Sequence, residues 1–348
     1  MIRALAECRL VLCSILLLTV SLSGFPATAS GPGPFWGVAL DGYPIDVRRI
    51  EQIEREIKLA PQMVVFFLQW PTDPSQGEFP RSSLEAAWQK GAVACVTWEP
   101  MHYVDGVEKM VPHQSITGGA YDDYLKRFAR EARSWGKPFI IRLAHEMNLD
   151  RYHWGVEKEQ YGPESPAIYR EMYRHVVSVF AGVGAHNVLW AFCPNSESVP
   201  NAASTPAAGW NRAGAYYPGD AYVDVLGMDG YNWGTTRTVA RHGWQSQWRS
   251  FAEIFSPLYE ELRTLAPTKP VIIFETASAD QGGDKQAWIR QAMATLDHWS
   301  VKAVNWFQAD KEVDWRINSS GFVFGPAMPR TAPRAAQQWL KELAGKRR

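Results

Sequence analysis

Residues 138–155, PFIIRLAHEMNLDRYHWG, decide the fold. They open on Phe139, Ile140, Ile141 and Leu143, a short apolar run behind Lys137-Pro138, which predicts a buried strand. The run then breaks into His145, Glu146, Asn148, Asp150, Arg151, Tyr152, His153 and Trp154. An apolar strand that delivers one carboxylic acid at its C-terminal end, among aromatic residues, is the layout of a parallel-barrel rim. A second stretch, PVIIFETA at 270–277, has the same form and ends on Glu275.

Outward from these two, apolar runs and helical periodicities alternate. Strands are predicted over 35–40, 63–68, 92–96, 139–143, 188–192, 223–228, 271–274 and 303–307. Helices are predicted over 47–59, 82–90, 121–135, 165–180, 248–265 and 285–299, with a closing helix over 335–343. Ile50, Ile53 and Ile57 mark the buried face of the first helix, and Ser82 or Ser83 is placed to cap the second. Segment 201–217 is polar and small, and reads as a loop; another loop, rich in Gly, His and Tyr, follows the third strand. Near-continuous apolar strands in this rhythm predict an α/β fold, a single-domain (β/α)8 TIM barrel. An open doubly wound sheet would carry a Gly-rich phosphate turn after the first strand, but Gly37 is followed by Val38-Ala39-Leu40.

A chain of 348 residues with 46% hydrophobic content is ample for one large core. Its formal net charge is zero, so there is no electrostatic case for nucleic acid or an anionic membrane surface as a partner. The N-terminus reads as a signal peptide over 1–29: Arg3 and Arg9 are basic, 10–22 is apolar, and Ala27-Thr28-Ala29 is a small-residue cleavage site. The expectation is a mature domain over 30–348, secreted or periplasmic. Cys8 and Cys13 would leave with the leader, and Cys95 and Cys193 read as buried free thiols in neighbouring strands.

The C-terminal strand ends collect Trp70, Trp98, Glu99, His145, Glu146, Asn195, Asp229, Tyr231, Glu275 and Trp306. Glycosidic cleavage needs two carboxyl groups flanking the bond, and flat apolar surfaces for the sugar faces. Glu146 and Glu275, on strands four and seven, lie across a small barrel, where side chains can meet at the ~5–5.5 Å of a retaining pair. Glu146 is expected as acid/base and Glu275 as nucleophile. A nearby ionised Glu275 would raise the pKa of Glu146, and Tyr231 could donate its hydroxyl to Glu275. Glu99 and Asp229 are rival carboxylates on the same rim, ranked as substrate-contacting or supporting groups. His145-Glu146 begins like a zinc-protease helix, but the second His would fall at Leu149; His145 and His153 lack a third partner. Neither metal nor cofactor is expected, and no G-x-S-x-G elbow is present.

Several motifs together resemble glycoside hydrolase family 26, in the clan of retaining β-glycosidases with a (β/α)8 barrel. They are Arg142 with His145-Glu146-Met147-Asn148 and Trp154-Gly155, the run Val225-Leu226-Gly227-Met228-Asp229-Gly230-Tyr231-Asn232, Lys269-Pro270 with Glu275, and Trp306-Phe307 with Asp310-Lys311 and Asp314-Trp315. The resemblance implies Glu146 as acid/base, Glu275 as nucleophile, His145 and Tyr231 around the sugar being cleaved, and Trp306 as its stacking platform. Asn148, Trp154, Trp98 and Asn195 complete the expected substrate-binding set. The family is best known for β-mannanases, with some members on mixed-linkage β-glucan or β-xylan, so an endo-acting mannanase is the first expectation. The sequence departs from the mannanase pattern beside the leaving-group sugar: the usual Gly is Leu149, and an aromatic is replaced by Arg151. A β-glucan or an exopolysaccharide is the alternative substrate, and a barrel that binds carbohydrate without cleaving it is the alternative function.

Overall fold

The computed structural model describes residues 33–324, 332 and 334–346, so the leader expected over 1–29 lies outside the described residues. Eight parallel strands close a barrel: β1 Phe35–Leu40, β2 Met63–Gln69, β3 Val93–Glu99, β4 Phe139–Leu143, β5 Val188–Phe192, β6 Val225–Asn232, β7 Val271–Ser278 and β8 Val301–Phe307. Each strand pairs with its neighbours in sequence, and β8 closes on β1. Strands covered by helices outside and side chains inside must be apolar on both faces. Accordingly β4, β5 and β7 are buried at every position.

The surrounding helices are α1 Val47–Ile57, α2 Arg81–Gln89, α3 Asp122–Trp135, α4 Ser165–Val183, α5 Phe251–Leu265, α6 Lys285–Leu296 and α7 Ala335–Gly345. Local chemistry sets their ends. The Asp46 side chain accepts the Arg49 N–H to start α1, which buries Ile50, Ile53 and Ile57. Asp122 and Asp123 sit at the positive end of α3, and Gly136 ends it at φ 75°. Ser250 and Glu253 form a reciprocal capping box at α5. Neither serine caps α2; Ser83 Oγ instead accepts the Ile45 N–H at 2.9 Å, tying the β1 loop to the helix.

Two differences from expectation shape the site. Strands β6 and β7 each run four residues further than predicted, so Asp229, Tyr231 and Glu275 sit within paired strands. An irregularity between Met228 and Asp229 sets Asp229 opposite Glu275. After β3 the chain forms an antiparallel hairpin, Met101–Val104 with Val107–Met110, turned by Asp105 and Gly106 at φ 52° and 77°. Between β5 and β6 the polar segment supplies the 3-10 turns Pro206–Asn211 and Ala213–Tyr216 where a fifth α-helix would stand. Cys95 and Cys193 are free and buried, but β4 runs between their strands, so they are not on neighbouring ones. Among the described residues no helix is long and apolar enough to cross a membrane.

Candidate active site

The chain leaves β4 through a strained turn. Ala144 and Glu146 have φ of 48° and 51°, the left-handed region that costs a non-glycine residue on the order of 1 kcal/mol or more. Backbone hydrogen bonds hold the turn: the Ala144 N–H donates to Trp98 O at 3.0 Å and the Glu146 N–H to Cys193 O at 2.8 Å. Trp154 Nε1 donates to the intervening His145 carbonyl at 2.7 Å. His145 and Glu146 thus both face one cleft of about 840 Å³.

Glu146 receives a hydrogen bond from Asn195 Nδ2 at 2.6 Å. Asn195 is itself fixed by Asn148, whose Oδ1 accepts the Asn195 N–H at 2.8 Å and whose Nδ2 donates to the Asn195 carbonyl at 2.9 Å. Burial, and then the negative charge of Glu275, push the Glu146 carboxyl up to about 7, while Asn195 pulls the other way.

Glu275, inside β7, has richer support. Arg142 Nη2 donates to its Oε1, and the Tyr231 hydroxyl donates to its Oε2 at 2.5 Å. The Arg142 guanidinium is fully buried on β4, between the rings of Phe67 and Phe274. Its Nη1 donates to Asp229 at 2.5 Å, and Nε and Nη2 donate to Thr97 Oγ1 at 2.9 and 2.6 Å. Burial and then the charge on Glu275 hold the Tyr231 phenol well above its ordinary range, so it remains a donor. Burial and then the Arg142 and Arg151 charges push His145 well below its usual value, so its ring is neutral. His145, Asp229 and Glu275 present ligand atoms within 4.8 Å of one another. Arg142 already donates to both carboxylates, so the positive charge at that point is a guanidinium.

Around this pair the cleft is lined by Phe67, Gln69, Glu99, Tyr152, Trp233, Trp244, Phe307 and Trp315, with His145, Asn195 and Tyr231. Glu99 is 3% exposed, and burial pushes its carboxyl up to about 7 although Gln69 donates to it. Trp315 rides on an irregular loop that Lys285 secures from below. The buried Lys285 ammonium donates to the Asp314 carbonyl at 3.3 Å, the Arg316 carbonyl at 2.8 Å and Ser319 Oγ at 2.7 Å.

Three of the tryptophans expected in the binding set do not line the cleft. Trp98 is fully buried on the outer face of β3, donating to the Tyr124 hydroxyl at 3.2 Å and packing on Phe128. Trp306 packs edge-on against Trp288 of α6 and donates to the Trp315 carbonyl at 2.7 Å. Successive strand side chains point to opposite faces; Glu99 and Phe307 take the cleft side, so the residue before each faces the helices. Trp70 is likewise buried against Trp98 and Tyr124. Trp154 is buried, stacked on Tyr152 with planes 8° apart, and only Tyr152 lines the cleft. Asn148 lies behind Asn195 and acts through it. Sequence reasoning left out of the site set the cleft residues Gln69, Tyr152, Trp233, Trp244, Phe307 and Trp315, and Arg142 beneath them. The alternation along β8 and the one buried arginine in an apolar strand were the signals available.

Residues 86–257 match glycosyl hydrolase family 26. Endoglucanase H of Acetivibrio thermocellus is 38% identical over 258 residues, 73% of this chain and 25% of that protein. A mannan endo-1,4-beta-mannosidase of Bacillus subtilis is 24% identical over 132 residues, 36% of this chain and 33% of that protein. The chain therefore spans a third or less of the length of these relatives. A solved Bacillus subtilis mannanase superposes with TM-score 0.58 at 14% identity, over 87% of this chain and 90% of that one, which shows the shared barrel. The GH26 domain of a Prevotella bryantii endo-beta-mannanase/endo-beta-glucanase superposes with TM-score 0.52 at 15% identity, over 90% and 89%. With a closed eight-stranded barrel, a family match through its centre and a relative 38% identical over 73% of this chain, the chain belongs to glycosyl hydrolase family 26.

Proposed function

We propose that the chain is an exported, retaining endo-β-glycosidase that hydrolyses a β-linked polysaccharide of the mannan or glucan type. The observation that carries this reading is the unequal treatment of two carboxyl groups facing one cleft. Glu275 sits between a guanidinium and a phenol that both donate to it, as suits an ionised attacker. Glu146 is buried with one amide donor, and burial and the Glu275 charge push its carboxyl up to about 7, as suits a proton donor near neutral pH. Glu275 would attack the anomeric carbon while Glu146 gives its proton to the departing oxygen. Glu146, now ionised, would take a proton from water as that water displaces Glu275 from the sugar. Aromatic rings on three loops, Tyr152 after β4, Trp233 and Trp244 after β6, and Trp315 after β8, support an extended cleft that binds within a chain. The basic, apolar and small-residue segments of 1–29 support export.

A specific observation favours glucan over the mannan first expected. The relative called an endoglucanase matches 73% of this chain, the mannanase of Bacillus subtilis 36%. Leu149 and Arg151 depart from the mannanase pattern in the same direction. The test is reducing-sugar release from galactomannan, glucomannan, mixed-linkage glucan, carboxymethylcellulose and β-xylan, with Glu146→Ala and Glu275→Ala alongside. Release on one polymer, lost in both variants, supports the reading and names the substrate. Silence on every polymer, or undiminished release by Glu275→Ala, overturns it.

A further inference from the structure

Arg151 stands five residues after Glu146, on the loop that carries the acid. Its Nη2 donates to Glu108 Oε1 at 2.8 Å, and Glu108 belongs to the hairpin that follows β3. The same Glu108 oxygen accepts the Tyr103 hydroxyl at 3.0 Å, from the partner strand of the hairpin. The Arg151 guanidinium also lies over the Tyr152 ring, 4.9 Å from its centre. Tyr152 in turn stacks on Trp154, which donates to the carbonyl of His145, the residue before the acid. One continuous set of contacts thus joins the hairpin to the backbone of the Glu146 turn. Tyr103, Glu108, Arg151 and Tyr152 all line the cleft.

The position of this wall gives it a role. Arg151 and Tyr152 lie close enough to Glu146 to exchange electrostatic influence with it. The aromatic groups near Glu275, namely Tyr231, Trp233 and Trp315, are in mutual contact, and none of them touches the Tyr152 ring directly. A residue that protonates a departing oxygen must stand beside the departing sugar, so the wall adjoining Glu146 faces the leaving group. That wall offers a phenol ring, a guanidinium and a carboxylate side by side. The guanidinium and carboxylate can hydrogen-bond sugar hydroxyls as donor and acceptor, and the Tyr152 ring, flanked by Trp154 and the guanidinium, backs them. The pair spans two loops, so losing it frees the hairpin as well as removing a donor.

We propose that the Arg151–Glu108 pair, with Tyr152, is the specificity-determining wall for the leaving-group sugar of the backbone polymer. The proposal rests on the glycosidase reading above. Its test compares a substrate that has sugars on the leaving side of the cleaved bond with one that has none. One is the best polymer from the panel. The other is the matching 4-nitrophenyl β-bioside, gluco- or manno-configured, whose nitrophenolate leaves unaided and carries no sugar hydroxyls. Arg151→Met, Glu108→Gln and the double variant are measured on both, with thermal melting as the check on folding. The expected result is a loss of kcat/KM about fivefold greater on the polymer than on the aryl substrate, and a double variant no worse than Arg151→Met alone. Equal losses on the two substrates, or none, overturn the wall and leave the glycosidase reading standing. A wild-type protein that cleaves neither substrate overturns both.

Discussion

The ends of β4 and β7 hold the same residue type and treat it in opposite ways. Glu146 sits on a left-handed turn, nearly sealed from water, with one neutral amide donating to it. Glu275 sits at an irregularity within β7, equally buried, with a cation and a phenol donating to its two oxygens. Burial is therefore shared, and the donor sets differ. A single neutral amide meets Glu146, whose carboxyl burial pushes up, while a buried guanidinium and a phenol meet Glu275.

The largest expected effect breaks the comparison outright. Glu275→Ala is expected to lower kcat by on the order of 10⁴-fold or more on polymer and on an activated aryl glycoside alike. Glu146→Ala is expected to cost ~10²–10⁴-fold on the polymer and far less on the aryl substrate, whose leaving group needs no proton. Equal losses for both variants on the aryl substrate would erase the distinction between the two roles. Next comes Arg142→Met, which strands Asp229 and Glu275 as buried carboxylates without their shared cation. A destabilisation of about 3–5 kcal/mol is expected in urea unfolding, shrinking at low pH where both carboxyls take protons. Tyr231→Phe removes one of the two donors to Glu275 and is expected to lower kcat by ~10–100-fold with the fold intact. The smallest effect belongs to Asn195→Ala. Its amide favours the ionised form of Glu146, so its loss raises that pKa further. Activity that needs a protonated Glu146 falls as pH rises through about 7, and in the variant this basic limb is expected to move upward in a kcat/KM profile. A limb that moves down, or stays, would assign it to another group.

Much of the barrel was legible because its strands are buried on both faces and so read as unbroken apolar runs. The same property hid the orientation of the tryptophans. In a strand apolar on every side, hydrophobicity does not distinguish a residue facing the cleft from one facing a helix. Trp98 beside Glu99, and Trp306 beside Phe307, are resolved only by the alternation of side chains once one neighbour is placed. Both glutamates were legible because a lone carboxylic acid stands out at the end of an apolar run. Arg142 was legible in the motif, but not its role, since its partners Asp229 and Glu275 lie 87 and 133 residues away in sequence. The hairpin went unread although Asp105-Gly106 is a strong turn signal, because the strands flanking it are only four residues long.

The two walls of the cleft are fastened by different means, and ionic strength separates them. The loop bearing Trp315 is riveted by a buried lysine ammonium that donates to two carbonyls and a hydroxyl and pairs with Asp280 at 3.6 Å, where dissolved ions screen less than at the surface. The hairpin across the cleft is fastened by Arg151 and Glu108, whose side chains are 58% and 25% exposed. Brine would therefore loosen one bank while the other stays rigid, and amide exchange in the hairpin would quicken first. A protein working in a salty medium would meet its polymer with one fixed bank and one that yields.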